Sequence, residues 1–275
     1  MALTVNTNMA AMRASNTLNN TQGALSSTLA RVSSGLRVTK AADDAAGQAV
    51  ATNLSTQARS GKQAIRNAND GISVIQTAEA ASKEVISILD RMRELAVQSS
   101  SETLEDDERA YIDAEFHQLS DEVERIAQST EFNDIALSDG VTGSLDVQVG
   151  VDASSNSRVA ITLGNLTTSN LAVQTTDIDL TQASTAQTAI TEIDEAIDSV
   201  NSIRASYGAV QNRLESSINN MSAYVESLSS AASQIQDADY AHETAEMTRL
   251  QVMQQAGVAA LGQARGMNQS VLSLL

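Results

Sequence analysis

Few residues in this 275-residue chain could do covalent or acid–base chemistry. It has two histidines, His117 and His242, and no cysteine. Thiolate nucleophiles, thiolate metal sites and disulfides are therefore excluded. His242 opens the run "HETAE" (242–246), which begins like a zinc-protease helix. That helix needs a second histidine four residues on, so that both imidazoles face the metal. Glu246 stands there instead, and His242 reads as an ordinary helix residue. The carboxylate run "LEDDE" (104–108) reads as a solvated helix start, where acids complement the positive end of the helix dipole. There is no phosphate loop, no G-x-S-x-G elbow and no dinucleotide fingerprint. "SSGLR" carries one glycine, too few for a phosphate cradle. The expectation is a non-enzyme with no cofactor and no metal.

With no catalytic constellation to position, the elements themselves are the message. Ile190, Ile193, Ile197, Val200, Arg204, Tyr207, Gln211, Leu214, Ile218, Met221, Val225, Leu228, Ala232 and Ile235 alternate at spacings of three and four. That is a heptad seam over more than six heptads. At 1.5 Å rise per residue the helix would be about 70 Å long. A second seam runs through Ile65, Ala68, Ile72, Ile75, Ser82, Val85, Leu89, Met92 and Ala96, in a helix expected from about Asp44 to Ser99. After "SSSETLEDD", Thr103 with Asp106 fits a helix cap, and Ile112, Phe116, Leu119, Val123 and Ile126 form the third buried stripe. Three such helices can pack as an antiparallel bundle. Between 144 and 164 the period changes to two, through Leu145, Val147, Val149 and Val151, then Val159, Ile161 and Leu163. This predicts a β-hairpin. The fold class is mainly α: an elongated antiparallel helical bundle with a small hairpin region, plus paired terminal helices.

Each end of the chain has an apolar stripe with nothing local to cover it. Leu18, Leu25, Leu29, Val32 and Leu36 recur at one end. Met253, Ala256, Ala260, Ala264, Met267, Val271 and Leu274 recur at the other, followed in the tail by Leu272 and Leu275. Pairing the ends covers one face of each, and other copies of the chain are expected to cover the rest. The expected organisation is 1–43 with 240–275 as paired terminal helices and 44–239 as a rod-like helical domain.

Composition agrees. The chain has no proline and 2% aromatic residues, and 34 acidic against 17 basic residues give a net charge of −17. Proline breaks helix interiors, so its absence permits very long helices. Acidic surfaces repel nucleic acid, which excludes that partner class. No apolar run is long enough to span a bilayer, and "MALTVNTNMAAM" lacks the basic start and apolar run of a cleavable signal peptide. Export, if it occurs, is expected by another route.

Several runs together resemble bacterial flagellin: "ARVSSGLRVTKAADDAAGQAVA" (30–51), "RNANDGISVIQTAE" (66–79), "RMRELAVQSS" (91–100), "YGAVQNRLESSINN" (207–220), "SAASQIQDADYAHETAEMTRLQVMQQAGVAALGQA" (230–264) and the closing "NQSVLSLL". They cover both ends and most of the middle, in order. The resemblance implies a subunit of the extracellular flagellar filament, exported unfolded. Its termini would line the inner core and its outer domains would be reduced to the hairpin and a short return. It further implies partners: the chain itself, an export chaperone, a filament cap, hook-junction proteins and, in animal hosts, a Toll-like receptor. For that receptor the resemblance points to Arg91, Leu95 and Glu115. Three departures stand out: no arginine follows Leu275, Met267 replaces a frequent proline, and Asp134 follows Asn133 where glycine is commoner. The polar stretch from Ser154 to Thr185, with Ser154, Ser155, Ser157, Thr167, Thr168 and Ser169, is expected to be outermost and a candidate for O-linked sugars. The alternatives are a hook–filament junction protein, which shares the terminal motifs, and a signalling coiled coil, which predicts one hairpin tip and no β-rich segment.

Overall fold

The computed structural model describes residues 7–176 and 178–272, with side-chain surroundings up to residue 266. The chain is mainly α, in the order α1 (Met9–Ser34), α2 (Ala45–Ser99), α3 (Asp106–Ser129), β1 (Glu131–Phe132), β2 (Ile135–Ala136), β3 (Ser144–Gln148), β4 (Arg158–Thr162), α4 (Thr168–Leu171), α5 (Ala183–Gln236) and α6 (Tyr240–Leu272). It divides into two compact units, Met1–Gln57 with Glu226–Leu275, and Ala58–Val225.

In the second unit α2 and α5 run antiparallel, and ion pairs mark their register. Arg204 Nη2 lies 3.6 Å from Glu79 Oε1, and Arg93 Nε 2.6 Å from Asp194 Oδ1. Facing α5, α2 carries Gly61. A Cβ there would lie 2.5 Å from Val225 Cγ2, so a larger residue would push the helices apart. The heptad positions named from sequence fill the interior: Ile75, Val85, Leu89 and Met92 of α2 and Ile193, Val200, Tyr207 and Leu214 of α5 are fully buried. Helix α3 folds back on α2 and adds Phe116 and Val123.

The cap of α3 differs from the sequence expectation. Glu105, not Thr103, is the N-cap, in a reciprocal box with Glu108. The last carbonyl of α2 and two carbonyls of the following loop are met by a side chain from α3. Arg109 is buried, and its guanidinium donates to the carbonyls of Ser99, Ser101 (2.8 Å) and Leu104 (3.3 Å). A cation there also complements the negative end of the α2 dipole.

Strands β3 and β4 pair antiparallel with Leu145 opposite Ile161 and Val147 opposite Val159. The alternation places Val159, Ile161 and Leu163 in the core with Tyr207 and Leu214. Strands β1 and β2 are joined by Asn133 and Asp134, at φ 50° and 63°. Two successive left-handed residues make the turn that hairpin twist favours, and Asn and Asp tolerate that region better than other side chains. The departure at Asp134 is thus accommodated.

The return from β4 to α5 is not a peripheral polar loop. Leu166, Leu171, Val173, Ile178 and Leu180 enter the same core as α2, α3 and α5. One face of α3 holds its backbone: Glu124 accepts from the Thr168 amide (2.9 Å), Ser120 donates to the Val173 carbonyl (2.7 Å) and Asp113 accepts from the Leu180 amide (2.9 Å). Burying irregular backbone requires such partners. The expectation that 154–185 lies outermost is therefore wrong for its second half.

Candidate assembly surface

In the first unit α1 and α6 lie antiparallel along their length. Asn8 Nδ2 donates to the Ala264 carbonyl (2.9 Å) at one end. Arg31 Nη1 meets Glu243 Oε1 (3.2 Å) towards the other. Beyond it, Leu36 bridges Asp237, the Arg37 amide donates to the Gln236 carbonyl (2.7 Å) and the Ala238 amide to that of Gly35 (2.9 Å). Gly35, at φ 72°, ends α1 in the left-handed conformation that glycine adopts without steric cost.

The seam between these helices is not the one expected. On α1 the inward row is Ala11, Ala14, Leu18, Thr21, Leu25, Thr28 and Val32, with Ser15 and Arg31 half-covered beside it; on α6 it is Glu243, Met247, Leu250, Gln254, Gly257, Leu261 and Ala264, with Thr244 and Glu246 half-covered beside it. Both rows alternate strictly at three and four. The predicted stripe agrees at Leu18, Leu25, Val32 and Ala264, with Leu36 half-covered just past α1. It fails at Leu29, which is 55% exposed, and at Met253, Ala256 and Ala260, which are all exposed. The real seam was hidden because Thr21, Thr28, Glu243 and Gln254 interrupt it with polar atoms, while an apolar row runs beside it. Met267, Val271 and Leu272 lie where the side chains are not described, and Leu274 and Leu275 lie outside the described residues.

Apolar side chains that face solvent therefore gather on these two helices. They include Met9, Met12 and Leu29 on α1 and Val252 (60% exposed), Met253 and Val258 (56%) on α6. Beside them on α6 stand exposed Ala256, Ala259 and Ala260. Small residues beside exposed valines let another helix approach closely, which suits helix-on-helix packing.

Nothing in the described residues offers competing chemistry. No group of three or more His, Asp or Glu side chains is placed to hold a metal, and no helix is long and apolar enough to cross a membrane. His242 is exposed on α6.

Residues 5–143 match the family model of the bacterial flagellin N-terminal helical region, and residues 190–275 that of the C-terminal helical region. The chain belongs to the bacterial flagellin family. Flagellin of Halalkalibacterium halodurans is 42% identical over 98% of this chain and 99% of its own length. Flagellin of Bacillus subtilis is 36% identical over the same shares. A crystal structure of Bacillus cereus flagellin aligns at a TM-score of 0.49 with 33% identity, covering 57% of this chain and 88% of that one. Like its family, this chain is a structural subunit of the flagellar filament, which lies outside the cell.

The receptor residues implied by the flagellin resemblance separate. Arg91 and Glu115 are half-exposed and paired, Nη2 to Oε1 at 2.8 Å, with Glu94 on the same guanidinium (3.0 Å). Leu95 is 1% exposed and packs in the bundle core, so it offers no surface to a receptor. The candidate modification sites separate too. Ser154, Ser155 and Ser169 are exposed, with the Ser154 hydroxyl donating to Asp152 (2.7 Å). The hydroxyl of Ser157 donates to Asp152 and that of Thr167 to Asn165 (2.7 Å). Thr168 is buried, with its hydroxyl on Glu124 (2.9 Å), and is withdrawn as a site.

Proposed function

We propose that the paired terminal segments, 1–43 and 240–275, form the inner core of the filament, and that 44–239 forms the layer around them. The observation that supports this is the apolar row left uncovered on α1 and α6. Fully burying a Val, Leu or Met side chain contributes about 1.5–3 kcal/mol. The exposed side chains of Met9, Met12, Leu29, Val252, Met253 and Val258 therefore carry a large unrealised stabilisation, which packing against further copies supplies. Polymerisation then needs neither nucleotide nor metal, and the chain has no catalytic role.

Export without a cleavable signal peptide, and engagement with an export chaperone, a filament cap and hook-junction proteins, follow from family membership. Docking by an animal Toll-like receptor rests on the Arg91–Glu115 pair. Glycosylation rests on Ser154, Ser155 and Ser169. To test assembly, purified monomer is seeded with filament fragments and imaged by electron microscopy. Long filaments are expected, and persistent monomer contradicts the reading.

A further inference from the structure

The unit Ala58–Val225 has a strongly uneven charge. Residues 84–125 hold thirteen Asp and Glu against four Arg, a net of −9 within a chain of −17. Glu102, Asp106 and Asp107 are exposed at the tip between α2 and α3. The opposite end carries Arg59, Lys62 and Arg66 on one face of α2, all exposed. Next to them two contiguous hollows of about 340 and 400 Å³ form a groove between the hairpin and α5, lined by Asn156, Arg158, Arg213, Ser216 and Asn220. Both arginines are exposed. Arg158 Nε donates to the Gln148 side-chain oxygen (3.3 Å), which is uncharged, and neither arginine is among the ion pairs of the described residues.

The acidic tip is held at the start of α5, where the Ser99 hydroxyl donates to the Leu180 carbonyl (2.5 Å). The groove lies some thirty residues further along α5, about 50 Å at helical rise. No arginine of the groove can reach the tip of its own copy.

We propose that this groove receives the acidic tip, residues 102–108, of a second copy of the chain, stacked head to tail. The inference rests on the filament reading above and names a contact within it. Charge complementarity selects the occupant. Two copies side by side in register would set acidic tip against acidic tip, whereas an offset of one unit length sets acid against arginine. A contact between two different patches does not close on itself, so repeating it extends an open polymer. An open groove that carries Arg158 and Arg213 also suits flexible carboxylates.

The test is reciprocal charge reversal in the full chain, read as the critical concentration for seeded polymerisation at low and high salt. Circular dichroism confirms that each variant keeps its helices. Arg158→Glu with Arg213→Glu is expected to raise the critical concentration about tenfold or more at low salt, as is Glu102→Lys with Asp107→Lys. Joining both pairs in one chain should restore it to within about threefold. Added salt should shrink these differences, because it screens exposed charges. The contact is overturned if either reversed pair polymerises like the wild type, or if the four-site variant is no better than the two-site ones. In those cases wild-type filaments still form and the filament reading stands. Failure of the wild type to polymerise would overturn both.

Discussion

Tyr207 shows how much single polar atoms matter in so thin a bundle. It is fully buried on the α5 seam, and its hydroxyl accepts the Gly164 amide at 2.9 Å. Burial raises its pKa, so it stays neutral. Tyr207→Phe keeps the ring but strands a buried N–H, which costs about 1–3 kcal/mol. A lowered urea midpoint with an unchanged slope is the expected result. Several carboxylates are held below their ordinary range. The Thr39 hydroxyl, with the Lys40 and Thr39 amides, lowers Asp43. The Ser157 and Ser154 hydroxyls lower Asp152, the Thr181 hydroxyl lowers Asp179, and the Arg93 guanidinium lowers Asp194. A depressed folded-state pKa stabilises the fold above the unfolded value, about 3.9 for Asp, and that stabilisation is lost as pH falls through the folded value. Monomer stability should therefore be nearly flat from pH 7 to 5 and fall below about pH 4, as urea titrations at several pH values would show. His117 and Glu243 were legible as residue types but not in their settings. Glu243 is nearly buried in the α1–α6 seam with Oε1 on Arg31 and Oε2 unpartnered. No composition argument places a carboxylate there.

At the scale of elements, the long seams were readable because apolar residues recur at three and four over many turns, with few interruptions such as Ser82, Arg204 and Gln211, and packing followed the period. The return segment and the terminal seam were not. Backbone partners supplied by Asp113, Ser120 and Glu124 lie 67, 53 and 44 residues away in the chain, and periodicity carries no information about such pairs. On α6 two rows compete, and the row with fewer polar atoms is the one that faces out. This distinction makes a sharp prediction. Val252→Asp with Val258→Asp places charge on exposed positions, so the monomer should keep its helicity and melting behaviour. The same charges in a packed interface would be unpaired and costly, so polymerisation should stop. Leu250→Asp, by contrast, charges a side chain buried against α1 and should unfold the terminal pair in the monomer itself. Circular dichroism beside light scattering separates the two effects. If Val252→Asp/Val258→Asp loses helix as Leu250→Asp does, the assignment of faces is wrong.

The whole molecule joins a self-sufficient unit, Ala58–Val225, whose core is filled, to a terminal unit whose apolar surface is not. On the proposed reading, the second unit folds on its own contacts and the first completes its burial in the polymer. Flagellin membership was legible from the terminal motifs, while the outward face of α6 came from the structure. The absence of cysteine permits a direct measurement. Single variants Val252→Cys and Val258→Cys are labelled with a thiol reagent as monomers and again after polymerisation. Both sites should react rapidly in the monomer and be protected in the filament by at least about a hundredfold, the ratio expected if about 3 kcal/mol is needed to open the packed face. Filaments in which both positions still label at the monomer rate would show that this face is not what holds the copies together.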